Sequence, residues 1–331
     1  MRIIVVGAGV SGLSCAIRLL ERGHSVVVAG ELRTPNVTSD RSAAAFTPFR
    51  ASGDPRLAGW TKHAFDTFGD IEKRCGREAG VRTTVMSEYY FEPFEGEPWW
   101  FAAVGGGKLL KSVPERYAWG LRVRVPTMDM RRYMPWLERR VTALGGRIES
   151  ARFTDLASVF ERGADLVVNT SGLGARELAP DARVTPIRGQ IVCAPNNIGL
   201  AECLADSGQA GETTYVFPFD DRIVIGGTYE KGVDVIETNE TALERIVERA
   251  RLLLQETGHP RWSELARTRL ATWAGLRPAR VLGANDVSIR LELEQVAPNR
   301  PVVHDYGHAG IGVTVSWGCA QAVAELVDSL G

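Results

Sequence analysis

The residues that most directly suggest chemistry form a glycine-rich turn near the amino terminus. The turn follows a β-rich run over 2–6 and precedes apolar residues at helical spacing over 13–22. Its first glycine permits a tight turn, its second lets backbone approach a pyrophosphate, and its third lets the helix pack close to the strand. Free N–H groups at a helix start attract phosphate oxygens. The predicted dinucleotide contacts are Gly7, Ala8, Gly9, Val10, Ser11 and Gly12.

The contact to the adenosine ribose has two candidates. An acidic residue is expected about 20 residues after such a turn, at the end of the second strand. That strand ends Val28-Ala29-Gly30-Glu31, so Glu31 lies one place beyond the usual position. Either Glu31 reaches the ribose, or Gly30 leaves room for a different adenosine contact.

A second glycine-rich segment precedes the last helical pattern of the chain. It reads His304-Asp305-Tyr306-Gly307-His308-Ala309-Gly310-Ile311-Gly312-Val313-Thr314. Glycines at a helix start let backbone N–H groups approach a ligand closely. A nicotinamide has no general need of this, whereas the acceptor atoms of a flavin collect charge on reduction and are stabilised by such groups. The two turns together therefore favour FAD over NAD as the cofactor.

Composition argues against several other functions. The chain has 331 residues, is 44% hydrophobic and carries a formal net charge of −1, with Lys and Arg scattered along it. This disfavours nucleic acid or a membrane surface as the main partner, and no apolar run approaches the roughly 20 residues that span a bilayer. The five cysteines have neither metal nor redox spacing. We therefore expect no metal, reduced thiols and a cytoplasmic location.

The order of the predicted elements indicates the fold class. Buried, parallel-type strands are predicted near the start, middle and end of the chain, at 2–6, 25–28, 164–169 and 302–304. Alternating, antiparallel-type strands lie between them, at 83–92, 190–194 and 215–228. Helices are predicted over 60–75, 131–144, 243–257 and 314–330. The sequence predicts an α/β fold in which a Rossmann-like nucleotide-binding domain is interleaved with an antiparallel-sheet domain.

Several short motifs recur in one order along the chain. After the amino-terminal fingerprint they are Asn169-Thr170-Ser171-Gly172, Arg188-Gly189-Gln190, Tyr215-Val216-Phe217-Pro218, Gly226-Gly227-Thr228, Gly275-Leu276-Arg277-Pro278, and 302–312 with Trp317-Gly318. In this order the chain resembles the D-amino acid oxidase and D-aspartate oxidase family over nearly its whole length. The resemblance implies a discontinuous FAD-binding domain (1–48, 143–192 and 270–331) and a substrate-binding domain (49–142 and 193–269).

The resemblance also implies further contacts to FAD, most of them made by backbone. One set matches the family's loop around the pyrophosphate and the flavin ring: Thr38, Ser39, Ala43, Ala44 and Ala45. Phe153 matches the position that holds the adenine, and Ser171 and Gly172 match the strand end beside the dinucleotide. A last set matches the loop at the pyrimidine end of the flavin: Gly310, Ile311, Gly312, Val313 and Thr314.

Three residues are implied to bind the substrate. From its residue type alone, Arg277 is equally a carboxylate clamp or a structural ion pair, with Arg280 and Arg290 as nearby competitors. The resemblance implies the clamp, with the Tyr215 hydroxyl donating to the same carboxylate and the Gly310 carbonyl accepting from the substrate amine. The implied reaction is hydride transfer without a side-chain base, so His304 and His308 are expected to be structural or to support the residues that contact the ligand.

Some positions depart from the family pattern. The stretch Asp206 to Glu212 lacks the lid tyrosine that the family often carries, so a glycine-rich, mobile lid is expected. The pocket wall has Phe46, Thr47 and Phe49, with Phe217 facing the same side as Tyr215, and this favours an apolar pocket. An inward-facing Arg50 would instead favour an acidic substrate.

The function expected from these features is oxidative deamination of neutral or aromatic D-amino acids to 2-oxo acids, with release of ammonia and hydrogen peroxide. The nearest alternative is a related oxidase of D-aspartate, glycine, sarcosine or a dedicated biosynthetic amine. An NAD-dependent dehydrogenase and a non-catalytic flavoprotein are the more distant alternatives. The expected partners are the substrate and oxygen, together with further copies of the chain in a weakly held homodimer or higher oligomer.

Overall fold

The computed structural model describes residues 1–48, 54–208, 212–283 and 288–330. The strands are β1 (Arg2–Val6), β2 (Ser25–Gly30), β3 (Val81–Tyr90), β4 (Lys108–Leu109), β5 (Trp119–Met128), β6 (Arg147–Ser150), β7 (Leu166–Asn169), β8 (Val184–Pro195), β9 (Cys203–Asp206), β10 (Tyr215–Pro218), β11 (Arg222–Gly226), β12 (Glu230–Lys231), β13 (Ala271–Arg280), β14 (Arg290–Ala297) and β15 (Arg300–Tyr306). The helices are α1 (Val10–Glu21), α2 (Leu57–Cys75), α3 (Met130–Ala143), α4 (Ala157–Phe160), α5 (Ala175–Leu178), α6 (Glu240–Glu256) and α7 (Gly312–Asp328). Short 3-10 turns include Thr38–Arg41.

One sheet has six strands in the order β14-β15-β7-β1-β2-β6. All neighbours pair in parallel except β14, which is antiparallel to β15. The central strands are short runs of Val, Ile and Leu that are buried on both faces. Such runs suit a parallel sheet because helices or loops cover both of its faces. Helices α1 and α7 pack against each other beside this sheet.

The second sheet has nine strands in the order β12-β8-β11-β10-β9-β3-β5-β4, with β13 pairing to β8. Its pairs are antiparallel except for β3 with β9. One face packs against α6 through a cluster that includes Val192, Val216, Ile225 and Leu254. The other face joins the main core, which contains Ile191, Ala205, Phe217 and residues of α1 and α7. The nine-stranded sheet thus packs toward helices α1 and α7, which lie beside the six-stranded sheet.

The chain alternates between the two sheets. It builds β1 and β2, then β3 to β5, then β6 and β7, then β8 to β13, and it returns for β14 and β15. The predicted α/β fold with an interleaved antiparallel sheet is confirmed. The predicted domain boundaries stay a prediction, although β13 and the first residues of β8, which they place with the nucleotide-binding domain, pair within the nine-stranded sheet.

Over the described ranges, none of the helices is both long and apolar enough to cross a bilayer.

Candidate active site

A cavity of about 490 Å³ is lined by residues from both sheets. The six-stranded sheet contributes Val6, Ala29 and Thr170, which lie at or just beyond the carboxyl ends of parallel strands. Ligands of open parallel sheets bind at this edge. The nine-stranded sheet contributes Tyr215 and Arg277 among others. The volume lies within the roughly 300–1,000 Å³ that small-molecule and cofactor sites occupy.

The amino terminus of α1 opens on this cavity. Gly7 has a φ of +113°, which strongly favours glycine, and a Cβ on Gly12 would overlap the Gly7 carbonyl oxygen. The Val10 N–H donates to the Ser39 hydroxyl at 3.0 Å. The helix has no side-chain cap from Gly9 and no acidic residue in its first turn. Its partial positive charge is therefore available to an anion.

A second helix start, that of α7, lines the same cavity. This helix also lacks a side-chain cap and has no acidic residue in its first turn. The preceding turn is tied to β13, because the Ala309 N–H donates to the Pro278 carbonyl at 2.8 Å. Thr314 anchors the other side, with its hydroxyl accepting from the Thr47 N–H at 3.2 Å. Backbone N–H groups are thus held toward the cavity at a second point.

The two ribose candidates both line the cavity near the end of β2. Gly30 packs closely on Ala8, since a Cβ at position 30 would lie 3.0 Å from the Ala8 Cβ. The Glu31 carboxylate lies 3.8 Å from the Arg152 guanidinium, and both side chains are largely exposed. Phe153 lies beside them in the lining. The choice between Glu31 and Gly30 for the ribose stays a prediction.

Arg277 is the cation of β13 that lines the cavity. Its guanidinium lies directly over Gly189, where any Cβ would overlap it. Nη1 donates to the Thr228 carbonyl at 3.1 Å, and the guanidinium carbon lies 5.7 Å from the centre of the Tyr229 ring. A Cβ on Gly310 would be 3.6 Å from Arg277 Cδ. Backbone and an aromatic ring therefore hold the planar group on several sides.

Tyr215 lines the cavity from β10. Its ring covers Gly226, where a Cβ would overlap it, and its hydroxyl lies 3.0 Å from the position of a Cβ on Gly227. Phe217 stacks on it, with ring centres 4.8 Å apart and planes 20° apart. The predicted shared orientation of Tyr215 and Phe217 is confirmed. A phenol hydroxyl and a guanidinium thus border one cavity beside an apolar wall.

The chain matches the FAD dependent oxidoreductase family over residues 2–326. It belongs to this family. It is 37% identical over 329 residues to a D-amino-acid oxidase of Streptomyces coelicolor, covering 98% of this chain and 96% of that protein. It is 32% identical over 344 residues to the D-aspartate oxidase of Homo sapiens, covering 99% of this chain and 94% of that protein. The predicted membership and the predicted cofactor FAD are both confirmed.

Solved structures support the same fold. A glycine oxidase from Bacillus cereus superposes with a TM-score of 0.76 at 16% identity, covering 100% of this chain and 95% of that one. An L-proline dehydrogenase from P. horikoshii gives a TM-score of 0.78 at 15% identity, covering 99% and 93%. At these identities the likeness concerns the fold alone.

The residues present fit FAD. At Gly7, Gly12 and Gly30 a Cβ would lie within 3.0 Å of neighbouring atoms, so the turn and the end of β2 are packed as closely as a dinucleotide-binding turn requires. All of the predicted FAD contacts except Gly12 and Ile311 line the cavity. The contacts that line it are Gly7, Ala8, Gly9, Val10, Ser11, Gly30, Glu31, Thr38, Ser39, Ala43, Ala44, Ala45, Phe153, Ser171, Gly172, Gly310, Gly312, Val313 and Thr314. Gly12 packs against the turn, and Ile311 is the buried residue before α7.

Two residues of the site were missed by the sequence analysis. Tyr229 lines the cavity and faces Arg277, and it directly follows the Gly226-Gly227-Thr228 motif. Gly189 is the floor under Arg277 and is the middle residue of the Arg188-Gly189-Gln190 motif. The sequence therefore carried one signal for each residue: Tyr229 is an aromatic next to a family motif, and Gly189 is a glycine inside one.

The competing cations and bases have other partners. Arg280 is paired with Asp181 at 2.7 Å, and Arg290 binds the Tyr306 hydroxyl at 2.9 Å together with Glu292 and Glu294. None of these arginines lines the cavity.

Both of these histidines are buried, and each is hydrogen-bonded to a carboxylate. His304 Nε2 lies 2.9 Å from Glu294, and burial lowers the pKa of this imidazole. His308 lines the cavity but lies 3.0 Å from the buried Asp305. Phe49, Arg50 and residues 209–211 of the expected lid lie outside the described residues.

Proposed function

We propose that this flavoenzyme oxidises D-amino acids, and that neutral or aromatic ones are its substrates. The observation that supports this most is the guanidinium of Arg277, held over Gly189 in the cavity that Tyr215 and Gly310 also line. A planar cation with a phenol beside it suits a carboxylate, since the guanidinium fork can donate two parallel hydrogen bonds. The two relatives named above, a D-amino-acid oxidase and a D-aspartate oxidase, fit the same reading.

Each residue has a definite role in this proposal. Arg277 binds the substrate carboxylate, Tyr215 donates to the same group, and the Gly310 carbonyl accepts an N–H of the neutral amine. FAD, when bound, supplies the two-electron acceptor for the hydride of the α-carbon and passes the electrons to oxygen, giving hydrogen peroxide. The amine loses one proton as the imino acid forms, and water then hydrolyses that product to a 2-oxo acid and ammonia. The protein contributes position and electrostatics rather than a base.

The preference for neutral or aromatic side chains rests on the cavity wall. Beside Tyr215 the lining contains Ile191, Ala205, Thr213 and Phe217. These side chains carry no charge, and an apolar wall favours an apolar substrate group. The runner-up substrate, D-aspartate, is supported by the human relative named above and would need a second cation at this wall.

A substrate panel and one variant test the proposal. Purified holoenzyme should release peroxide with D-alanine and D-phenylalanine but not with their L-enantiomers. Arg277→Ala should keep FAD and lose most of kcat/KM, because a carboxylate left without its partner is poorly bound. Unchanged turnover in this variant would remove Arg277 from the site. Turnover of glycine, sarcosine or D-aspartate alone would replace the substrate class.

We also infer a cytoplasmic location and a weakly held homo-oligomer. The location is supported by the five cysteines, all free and four of them buried, as expected in a reducing compartment. The oligomer stays a prediction, which sedimentation over a range of protein concentrations would test.

A further inference from the structure

The Thr228 carbonyl, which accepts from Arg277 Nη1, is itself held by a polar network. The Thr228 hydroxyl donates to Glu230 Oε2 at 2.8 Å and accepts from the Gln190 N–H at 3.0 Å. The Gln190 amide donates to the same Glu230 oxygen at 3.1 Å, and its own oxygen accepts from the Asn239 N–H at 2.6 Å. The segment 228–230 is therefore fixed through side chains as well as backbone.

Arg188 completes the network with a bidentate ion pair. Its Nε and Nη2 each lie 2.8 Å from one oxygen of Glu230. Glu230 on β12 lies directly opposite Arg188 on β8. The Arg188 side chain is 13% exposed and that of Glu230 29%, and Gln190 is fully buried. Two parallel hydrogen bonds to one carboxylate hold both partners more rigidly than a single contact.

Side chains alternate between the two faces of a strand, and this explains how one motif contacts both Glu230 and Arg277. In Arg188-Gly189-Gln190 the outer two side chains point to one face of β8, and the middle residue points to the other. The outer two bind Glu230, while Gly189 leaves space for the Arg277 guanidinium. The same three residues thus fix the floor below Arg277 and, through Glu230, the carbonyl beside it.

We propose that Glu230 is a positioning residue that fixes the orientation of Arg277 through the Thr228 carbonyl, and thereby sets the affinity for the substrate carboxylate. Glu230 acts indirectly, through the Thr228 hydroxyl and the Gln190 amide, both of which donate to its carboxylate. Its loss would free the Thr228 carbonyl to shift and would leave the Arg277 fork misaligned with the carboxylate. The proposal rests on the substrate-binding role of Arg277 proposed above.

Glu230→Gln tests this because it keeps the size of the side chain and removes its charge. We expect KM for the best D-amino acid to rise about tenfold, with kcat within about twofold and FAD content unchanged. The dissociation constant of benzoate, a carboxylate without an amine, should rise by the same factor when measured by calorimetry on holoenzyme. Glu264→Gln is the matched control, since Glu264 also forms a two-point pair with an arginine, Arg261, and is 36% exposed.

A double-variant cycle separates positioning from a general structural role. If Glu230 works through the arginine fork, Glu230→Gln should have little further effect on benzoate binding in an Arg277→Lys background. An equal effect in both backgrounds, or unchanged benzoate binding in Glu230→Gln alone, would overturn the proposal. Failure of the proposed substrate class has a different outcome. In that case D-amino acids are not oxidised, whereas the carboxylate measurement still reports on Glu230.

Discussion

At the scale of single residues, the site depends on where side chains are missing. Arg277 lies over Gly189, and Tyr215 lies over Gly226. Each large side chain takes the space that a Cβ would need. The two side chains proposed to bind the substrate carboxylate are therefore held by backbone, which moves less than a side chain. Glycine at positions 189 and 226 is a requirement of the site rather than of the strand, since glycine inside a strand weakens it.

Gly189→Ala should consequently damage substrate binding without unfolding the protein. The three atoms nearest to the new methyl group all belong to the Arg277 guanidinium, the far end of a flexible side chain that can move away while β8 keeps its pairing. We expect kcat/KM to fall at least about tenfold through a higher KM, with FAD retained. Steady-state kinetics and the flavin absorbance of the purified variant measure the two effects.

Gly69→Ala is the control for this variant. Gly69 lies in α2, and nothing lies within 4 Å of the position of its Cβ. Alanine there should be neutral or stabilising by up to about 1 kcal/mol, with normal kinetics. Normal KM in Gly189→Ala would show that Arg277 has another productive orientation.

At the scale of elements, the site is formed by the first turns of α1 and α7 together with strand β13, which carries Arg277. Helices α1 and α7 each begin at the cavity without a side-chain cap or an acidic residue in the first turn. Asp and Glu usually stabilise that position by about 0.3–1 kcal/mol. Their absence from both helices fits a bound group that itself carries negative charge or collects it.

Ser11→Asp should separate helix stability from cofactor affinity. Ser11 lies in the first turn of α1 and lines the cavity. A carboxylate there favours the helix dipole but repels a pyrophosphate. We expect the apoprotein to melt no lower than wild type, while FAD binds at least about tenfold more weakly. Ser11→Asn is the uncharged control. Equal FAD affinity in both variants would place the pyrophosphate away from α1.

The pairing of β12 with β8 has a predictable pH dependence. The hydrogen bonds from Arg188 lower the pKa of the Glu230 carboxyl below its ordinary value of 4.5. A carboxyl with a lowered pKa in the folded state stabilises the fold above its unfolded pKa, and this stabilisation is lost as pH falls through the folded value. The melting temperatures of wild type and Glu230→Gln should therefore differ at pH 7 and converge as the pH falls below 4.5 and through the folded pKa of Glu230. A difference that stays constant as the protein is acidified until it unfolds would mean that the ion pair contributes nothing.

The sequence predicted the parallel-sheet elements better than the edges of the second sheet. Runs such as 2–6 and 166–169 are strongly apolar and short, so their type follows from composition. Strand β13 was not predicted, because Gly275 and Pro278 disfavour strand interiors, yet it pairs along ten residues of β8. Proline is accepted in β13 because, within the described residues, this strand pairs with a neighbouring strand on one side only, while its other side meets the turn before α7. That edge position arises from tertiary pairing, which no local pattern encodes.

The residues of the site show the same limit, namely that contacts made by tertiary pairing cannot be predicted from local sequence patterns. The glycine turns could be located from spacing, since each serves a ligand through local backbone. The roles of Tyr229 and Gly189 could not, although each lies in or beside a recognised motif, because each residue meets Arg277 only when segments far apart in sequence come together. The contact between Arg277 and Gly189 follows from the register of β13 on β8, in which Gly275 lies opposite Gly189 and Arg277 opposite Ile187.

At the scale of the whole molecule, the cavity joins two functions supplied by different sheets. The carboxyl edge of the six-stranded sheet offers backbone for FAD, and the nine-stranded sheet offers Arg277 and Tyr215. The chain crosses between the sheets four times, and the main core includes residues of both. The two halves of the cavity are therefore held in one arrangement, although the residues that serve them differ.

Ligand binding to the two halves of the cavity should appear in thermal melting as two successive increases in melting temperature. A ligand at 100 times its dissociation constant stabilises a folded protein by about 2.7 kcal/mol. FAD should thus raise the melting temperature of the apoprotein, and benzoate should raise it again. Gly189→Ala should keep the increase caused by FAD and lose the increase caused by benzoate, because the new methyl group occupies only the space of the Arg277 guanidinium. Ser11→Asp at the same FAD concentration should lose most of the first increase, and the second with it if the carboxylate packs on the flavin. Loss of the FAD increase in Gly189→Ala would instead show that the carboxylate site and the cofactor site cannot be separated, and that Arg277 supports the flavin as well as the substrate.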